Sequence, residues 1–334
     1  MKYILCVLLS VTLCACFRSK ANNDPLPHGY NWIARNEVDA ENSSQASYVD
    51  DKSATQLPFS GRGGRGSYEG VTDLSKFIAF LGDPSVKSLK FYSGTFSDLS
   101  PLATLTGLEE LEISGNRNVT NISPLSSLVN LKSLTLWSLS LESIEPLSSL
   151  VNLRYLELSD AHEHTDFREL LPLQQLETLR LYMYNRPTLD VACIAQLQSL
   201  TELNITPGIE RSSSATKVMK TNIKQLQNLI NLENLAISGV DLDISWITQL
   251  QKLQKISLRY CEIDDISPLA KLPNLVDVYL YESEVRDITP LLESRSIKKI
   301  EQNVDSYTVC ENHNILIDMF MEQGIEFRHF HPIR

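Results

Sequence analysis

Residues 122–136 read ISPLSSLVNLKSLTL, and residues 144–158, starting 22 positions later, read IEPLSSLVNLRYLEL. A fixed period of this length is the signature of a stacked repeat and takes precedence over any local reading. The second half of the unit holds Leu131, Leu134 and Leu136, the pattern L-x-x-L-x-L, in which alternate side chains of a short strand point to one side. The first half carries Ile122, Leu125 and Leu128 behind Ser123 and Pro124, read here as a short helical turn with Ser at its cap and Pro at its first position. One unit is therefore a strand, a bend, a helical turn and a bend back, with its large apolar residues pointing inward.

Such a coil cannot bury its apolar side alone, and stacking of copies closes a continuous core. The pattern resembles the leucine-rich repeat, in particular the 22-residue class of bacterial internalin-like proteins, over residues 86–303. The resemblance implies an α/β solenoid: a curved parallel β-sheet on the concave face, short helical or 3-10 turns on the convex face, and helical caps at both ends. The expected central strand residues are Leu89, Leu111, Leu134, Leu156, Leu179, Leu203, Leu235, Ile256, Val278 and Ile300. Ser-Pro-Leu or Thr-Pro-Leu recurs at Ser100, Ser123, Ser267 and Thr289, with Glu145-Pro146 as a variant. A proline inside a helix costs about 3 kcal/mol, so these repeated prolines exclude one long amphipathic helix.

The 334 residues are 43% hydrophobic, with 30 basic against 41 acidic side chains and a net charge of −11. That balance argues against a nucleic-acid footprint, which needs a basic stripe. At the N-terminus Lys2 precedes an apolar run, residues 3–13, too short for a normal membrane span. The run ends in Leu13-Cys14-Ala15-Cys16, similar to the lipobox of bacterial lipoproteins, although Cys14 stands where a smaller or hydroxyl residue is commoner. That resemblance implies a signal peptide over 1–15, cleaved after Ala15, and a lipid-modified Cys16 that anchors the chain in a membrane; an ordinary secretory signal is the alternative. Phe17 follows where some lipoproteins retained at the inner membrane carry aspartate, which favours the outer membrane or cell surface. Cys193, Cys261 and Cys310 lie too far apart for a readable disulfide framework and are read as structural.

Residues 16–67 lack an apolar period, are rich in Asn, Ser, Asp and Gly, and read as a flexible spacer. Residues 68–85 form the N-terminal cap, with helical spacing from Val71 to Leu81 and a stop at Gly82 and Pro84. After the repeats, residues 304–334 form the C-terminal cap: an amphipathic helix over 312–323, ended by Gly324, then a short strand around Ile325-Glu326-Phe327. Two departures from a uniform repeat stand out. The turn position often Asn in the resembled family is Asn only at Asn116, so no continuous asparagine ladder is expected there. Leu203 and Leu235 are 32 residues apart, and the excess around 207–218 reads as a projecting loop.

Strand positions flanking the central residues line the concave face, and among them are five of the chain's twelve tyrosines. Trp137, Tyr155 and Tyr182, on three successive strands, are expected to form one aromatic patch with Glu157 and Arg180 as its polar rim. Tyr92, Arg259, Tyr279 and Tyr281 extend the candidate surface. Tyr, Trp and Arg are the residue types enriched at binding hot spots, although β-propensity alone also favours aromatics on strands. Trp246, in the place of a turn proline, is read as a convex side chain of little importance for binding.

Catalysis finds little support. His162-Glu163-His164-Thr165-Asp166 has the ligand types of a metal clip but no helical H-E-x-x-H frame, and His329 and His331 are equally isolated. No cofactor is implied. The sequence thus points to a lipid-anchored envelope protein binding a protein partner, with a carbohydrate- or peptidoglycan-binding module and a loop-rim enzyme as alternatives.

Overall fold

The computed structural model describes residues 65–81, 85–159, 166–183, 190–207, 222–238, 243–303 and 313–330. The chain divides into two units, Met1–Gln45 and Ala46–Arg334, and all described residues belong to the second. In chain order they form β1 (Arg65–Glu69), α1 (Leu74–Leu81), β2 (Ser88–Tyr92), β3 (Glu110–Ser114), β4 (Ser133–Trp137), β5 (Tyr155–Ser159), β6 (Thr178–Met183) and β7 (Glu202–Pro207). These are followed by β8 (Asn234–Ser238), β9 (Lys255–Arg259), β10 (Glu262–Ile263), α2 (Ser267–Ala270), β11 (Asp277–Tyr281), β12 (Glu284–Val285), β13 (Lys299–Asn303), α3 (His313–Glu322) and β14 (Glu326–Phe330). Twelve strands make one parallel sheet in sequence order, and β10 and β12 make a separate two-stranded ladder. Most strands are linked by 3-10 turns such as Ser123–Ser127 and Glu145–Ser149, the expected α/β solenoid.

The leucine spacing explains the turns. Leu125 N–H donates to Ile122 C=O, Leu128 to Leu125 and Leu131 to Leu128, at 2.9, 2.9 and 3.0 Å. With three residues per 3-10 turn, every third side chain eclipses the last. Ile122, Leu125, Leu128 and Leu131 therefore all face inward, each no more than 1% exposed. The strand then alternates, and Leu134 and Leu136 join them. All ten expected central residues pair in one register from Leu89 to Ile300. Leu203 and Leu235 hold that register despite their longer separation; from residue 208 to 221 the expected loop lies outside the described residues.

Two features of the coil differ from the sequence reading. Ser123 is the first turn residue rather than its cap: the side chain of Asn121, two positions earlier, accepts its N–H at 2.8 Å. Asp98, Asp243, Asp265 and Asp287 do the same for Ser100, Ser245, Ser267 and Thr289, a short side-chain bond that competes well in turns. A different asparagine ladder is also present. Asn116 bonds as the resemblance implies, to Phe96 C=O at 2.8 Å. Asn130, Asn152, Asn231 and Asn274, at the entry to a strand, donate to the carbonyls of Thr106, Val129, Gln198 and Gln251 in the preceding coil, at 2.8–2.9 Å. Cys261 occupies the Asn116-type position and is buried, with Sγ near the carbonyls of Ile237 and Arg259. Cys193 is also buried and free, while Cys310 lies outside the described residues.

Strand ends share a backbone device. Ser93, Gly115, Ser138, Tyr260 and Glu282, each directly after a strand, have φ between 52° and 73°. For a residue with a side chain this left-handed conformation costs roughly 1–2 kcal/mol, which Gly115 escapes, as does Gly70 after β1 with φ 66°.

The caps close the core, with one addition. The strand β1 begins at Arg65, inside the stretch read as spacer, and pairs with β2 ahead of α1. The helix α1 seats Leu74 and Phe77, the latter edge-on to Phe91 at 5.3 Å; its expected stop at Gly82 and Pro84 lies outside the described residues. At the other end Phe320 of α3 is fully buried and stacks on Phe327 of β14 at 5.6 Å. Gly324 turns the chain between them with φ 75°. Among the described residues no helix is long and apolar enough to cross a membrane. Trp246 is a correction: it is 4% exposed, packed in the core within the turn Ser245–Gln249.

The core yields the first prediction. Leu134→Ala or Leu156→Ala lowers stability by about 2–5 kcal/mol, the range for a truncated core leucine. Urea unfolding measures it, and a loss under about half a kcal/mol at both positions contradicts the register.

Candidate binding site on the concave face

Alternation along each strand turns the first, third and fifth residues away from the core. On the fifth position the sheet carries Tyr92, Ser114, Trp137, Ser159 and Tyr182 across β2 to β6, an aromatic residue on alternate strands with serine between. The small residue lets its neighbours meet: Trp137 and Tyr182 have ring centroids 4.8 Å apart at 63°, an edge-on contact. Ser159, 1% exposed, turns its hydroxyl to accept the Ser138 N–H at 2.7 Å and stays below the rings. Tyr182 is itself only 8% exposed, and its hydroxyl accepts from Asn204 at 3.3 Å.

Tyr155 belongs to a different contact, so the expected single aromatic patch is two. It stands at the first position of β5, and Arg180 lies 5.5 Å from its ring centre. Arg180 is the hub of this second group. Its Nε donates to Glu202 at 2.8 Å, a terminal nitrogen reaches Tyr155 Oη at 3.2 Å, and Glu157 lies at 3.6 Å. Tyr155 Oη donates to Glu157 in turn. Arg180 is 9% exposed. It is a floor of the face rather than the expected rim, with its charge already matched by Glu157 and Glu202. Burial works against that charge, but Tyr155 and Glu202 outweigh it and hold the guanidinium more firmly protonated than usual.

The remaining candidates gather at the far end of the sheet. Tyr279 and Tyr281 on β11 lie 5.8 Å apart, tilted by 31°. Glu301 of β13 is 4% exposed and accepts from Tyr281 Oη, with Lys299 Nζ at 2.6 Å and an Arg328 nitrogen at 3.6 Å. Arg259 closes on its neighbour Tyr260, 5.0 Å from that ring. Tyr92 is half-buried at the opposite end, on β2. Arg328 was hidden from sequence reading because β14 has no leucine period; its place beside Glu301 depends on the cap strand pairing with β13.

Of the suspected metal clip, residues 162–165 lie outside the described residues, and Asp166 accepts the Arg168 N–H as a turn cap. His329 falls in β14, and His331 lies outside. Cys16 and the leader also lie outside.

Two phenols carry a pH signature. Burial, then the adjacent Glu157, pushes Tyr155 well above the usual tyrosine range; burial, then the bond to Glu301, does the same for Tyr281. A raised folded value means the neutral phenol contributes stability fully below the ordinary tyrosine pKa of 10.0 and loses it as pH rises beyond that. Stability therefore falls as pH rises above 10, and Tyr155→Phe and Tyr281→Phe each flatten the fall. Denaturant titrations across alkaline pH check this; equal slopes in wild type and both variants contradict it.

Comparison with known proteins places this geometry. Residues 142–274 match the family described as Zer-1-like, leucine-rich repeats. A sequence comparison with curated proteins found no match. Among solved structures, an internalin (inlF) of Listeria monocytogenes aligns with TM-score 0.60 at 19% identity, over 79% of this chain and 73% of that one. A leucine-rich repeat protein of Leptospira interrogans aligns with TM-score 0.45 at 17% identity, over 80% and 79%. TLR13, in a complex with ssRNA13, aligns with TM-score 0.52 at 22% identity, over 70% of this chain and 39% of that one. The repeating coil and the alignment with the internalin together give this chain a leucine-rich repeat fold, with residues 142–274 similar to a leucine-rich repeat family.

Proposed function

We propose that this chain is a lipid-anchored protein of the cell envelope, at the outer membrane or cell surface, that binds a protein partner on its concave face. The observation that carries the reading is the row of aromatic residues on alternate strands, with Trp137 set edge-on against Tyr182 over a floor of paired charges. A large rigid ring held by its neighbour loses little freedom on binding, which is why such residues serve as anchors. The buried hub at Arg180 fixes the floor, and a fixed surface binds more tightly than one that must order itself first. Binding rather than catalysis is the role supported by the repeat fold. The ssRNA13 in the TLR13 complex belongs to that protein; the net charge of −11 here opposes a polyanion. Stacked tyrosines also serve sugars, and the tilted Tyr279–Tyr281 pair keeps a glycan ligand as the second reading.

Two predictions test the proposal. Against a partner recovered by cross-linking on intact cells and then purified, Trp137→Ala weakens binding by roughly 2 kcal/mol, as hot-spot aromatics do. Because Trp137 is only partly buried, stability moves less than for the core leucines, whereas Tyr182→Ala disturbs both. Ile230, 57% exposed and off the strand face, is the control. If Ile230→Ala costs the partner more than Trp137→Ala, the interface is elsewhere; binding on a glycan array with no protein partner supports the second reading.

Anchoring is tested separately. Cys16→Ala releases the protein from membranes and abolishes labelling by a fatty-acid probe, and unchanged membrane partition removes the anchor. Protease treatment of whole cells reports whether the repeats face outward.

A further inference from the structure

The concave face carries two charge clusters of opposite character, at a fixed distance. In the first, Arg180 sits between Glu157 and Glu202, one cation against two carboxylates, an excess of one negative charge. The second surrounds Tyr279. Lys255 and Lys299, on the strands flanking β11, place their ammonium groups 4.8 and 5.3 Å from that one ring, from opposite sides. Asp277 lies between the two lysines in register, yet among the described residues no ion pair joins it to either. Lys299 is shared with Glu301, whereas Lys255 has no carboxylate at ion-pair distance among the described residues. Two ammonium groups thus converge on one ring while Glu301 answers only Lys299, a local concentration of positive charge in a chain whose total is −11. A positive site on so acidic a protein works against the overall field, so its attraction is local and steers an anion to this end only.

Between the clusters the face is low. Ala236 and Ser238 of β8 and Ser257 of β9 are small and 6–9% exposed, overtopped by the longer side chains on either side. From β6 to β11 is four strand steps. At ~4.8 Å each this is about 19 Å, the reach of about six extended residues.

We propose that the face reads a protein segment by charge polarity, taking a basic group over Glu157 and Glu202 and an acidic group over Lys255 and Lys299, with the intervening chain on the floor of Ala236, Ser238 and Ser257. This deepens the protein-binding reading and rests on it. Each charge alone is a modest attraction in water; the discrimination comes from satisfying both at one spacing, since a like-charged segment gains at one cluster and is repelled at the other.

The test uses the full chain and three synthetic peptides of equal length. One has three lysines and three glutamates separated by six Ser/Gly residues, and the others have lysines at both ends or glutamates at both ends. At low ionic strength, fluorescence anisotropy should show the bipolar peptide binding at least five-fold more tightly than either like-charged one. Lys255→Glu should bring it down to their level, and Lys255→Gln should fall between. Thermal unfolding of both variants confirms that the fold is intact. Equal or tighter binding of a like-charged peptide, indifference to Lys255→Glu, or no binding of any peptide overturns the proposal. None of these outcomes touches the aromatic anchor, which stands or falls on Trp137→Ala against the natural partner.

Discussion

A single coil of this chain has too little apolar surface facing itself to stay folded, and the neighbour that covers it is the condition on which the rest depends. The i to i−3 bonds from Ile122 to Leu131 bring every third side chain onto one line, and the strand adds two more. That line is buried only when the next coil lies against it. Nearest-neighbour dependence of this kind makes stability a sum of interfaces rather than a property of one centre. It also explains why both ends spend aromatic side chains on closure, Phe77 against Phe91 and Phe320 against Phe327.

Main-chain polarity is handled by the same repetition. Asparagines entering one strand reach back to carbonyls of the preceding coil, and an aspartate, or Asn121 in one coil, ahead of several turns holds the first amide. Each bond has a modest net worth, on the order of 1 kcal/mol, but an unmet carbonyl between packed coils costs more than the bond gains. The ladders thus keep the stacking surfaces from carrying polar penalties. On the open face of the sheet the polar groups pair across strands, with Arg180 and Glu301 nearly sealed by their partners.

The register of the sheet was legible because leucine at a fixed period leaves one alignment that buries every central residue. The face followed from it, since alternation assigns outward positions once the inward ones are known. Contact between particular side chains was less legible. Trp137 meets Tyr182 two strands away because Ser159 is small, while Tyr155, nearer in the stack, is four positions back along its strand and finds Arg180. Trp246 misled for a related reason: the turn position it fills packs against the core, as the buried Pro146 and Pro268 show for their own coils. The strand β1 and Arg328 lie where the period has ended, and only pairing with a neighbour reveals them.

The uniform pairing of parallel strands has an evolutionary consequence. Because coils contact only their neighbours, a duplication or loss of one coil between β7 and β9 shifts everything beyond it by one strand step, about 4.8 Å, and leaves the chemistry on both sides intact. The separation between the two halves of the face is therefore inherited in discrete increments. A lineage facing a longer or shorter ligand has no need to redesign either end, because one coil gained or lost beside β8 supplies the new length in a single event.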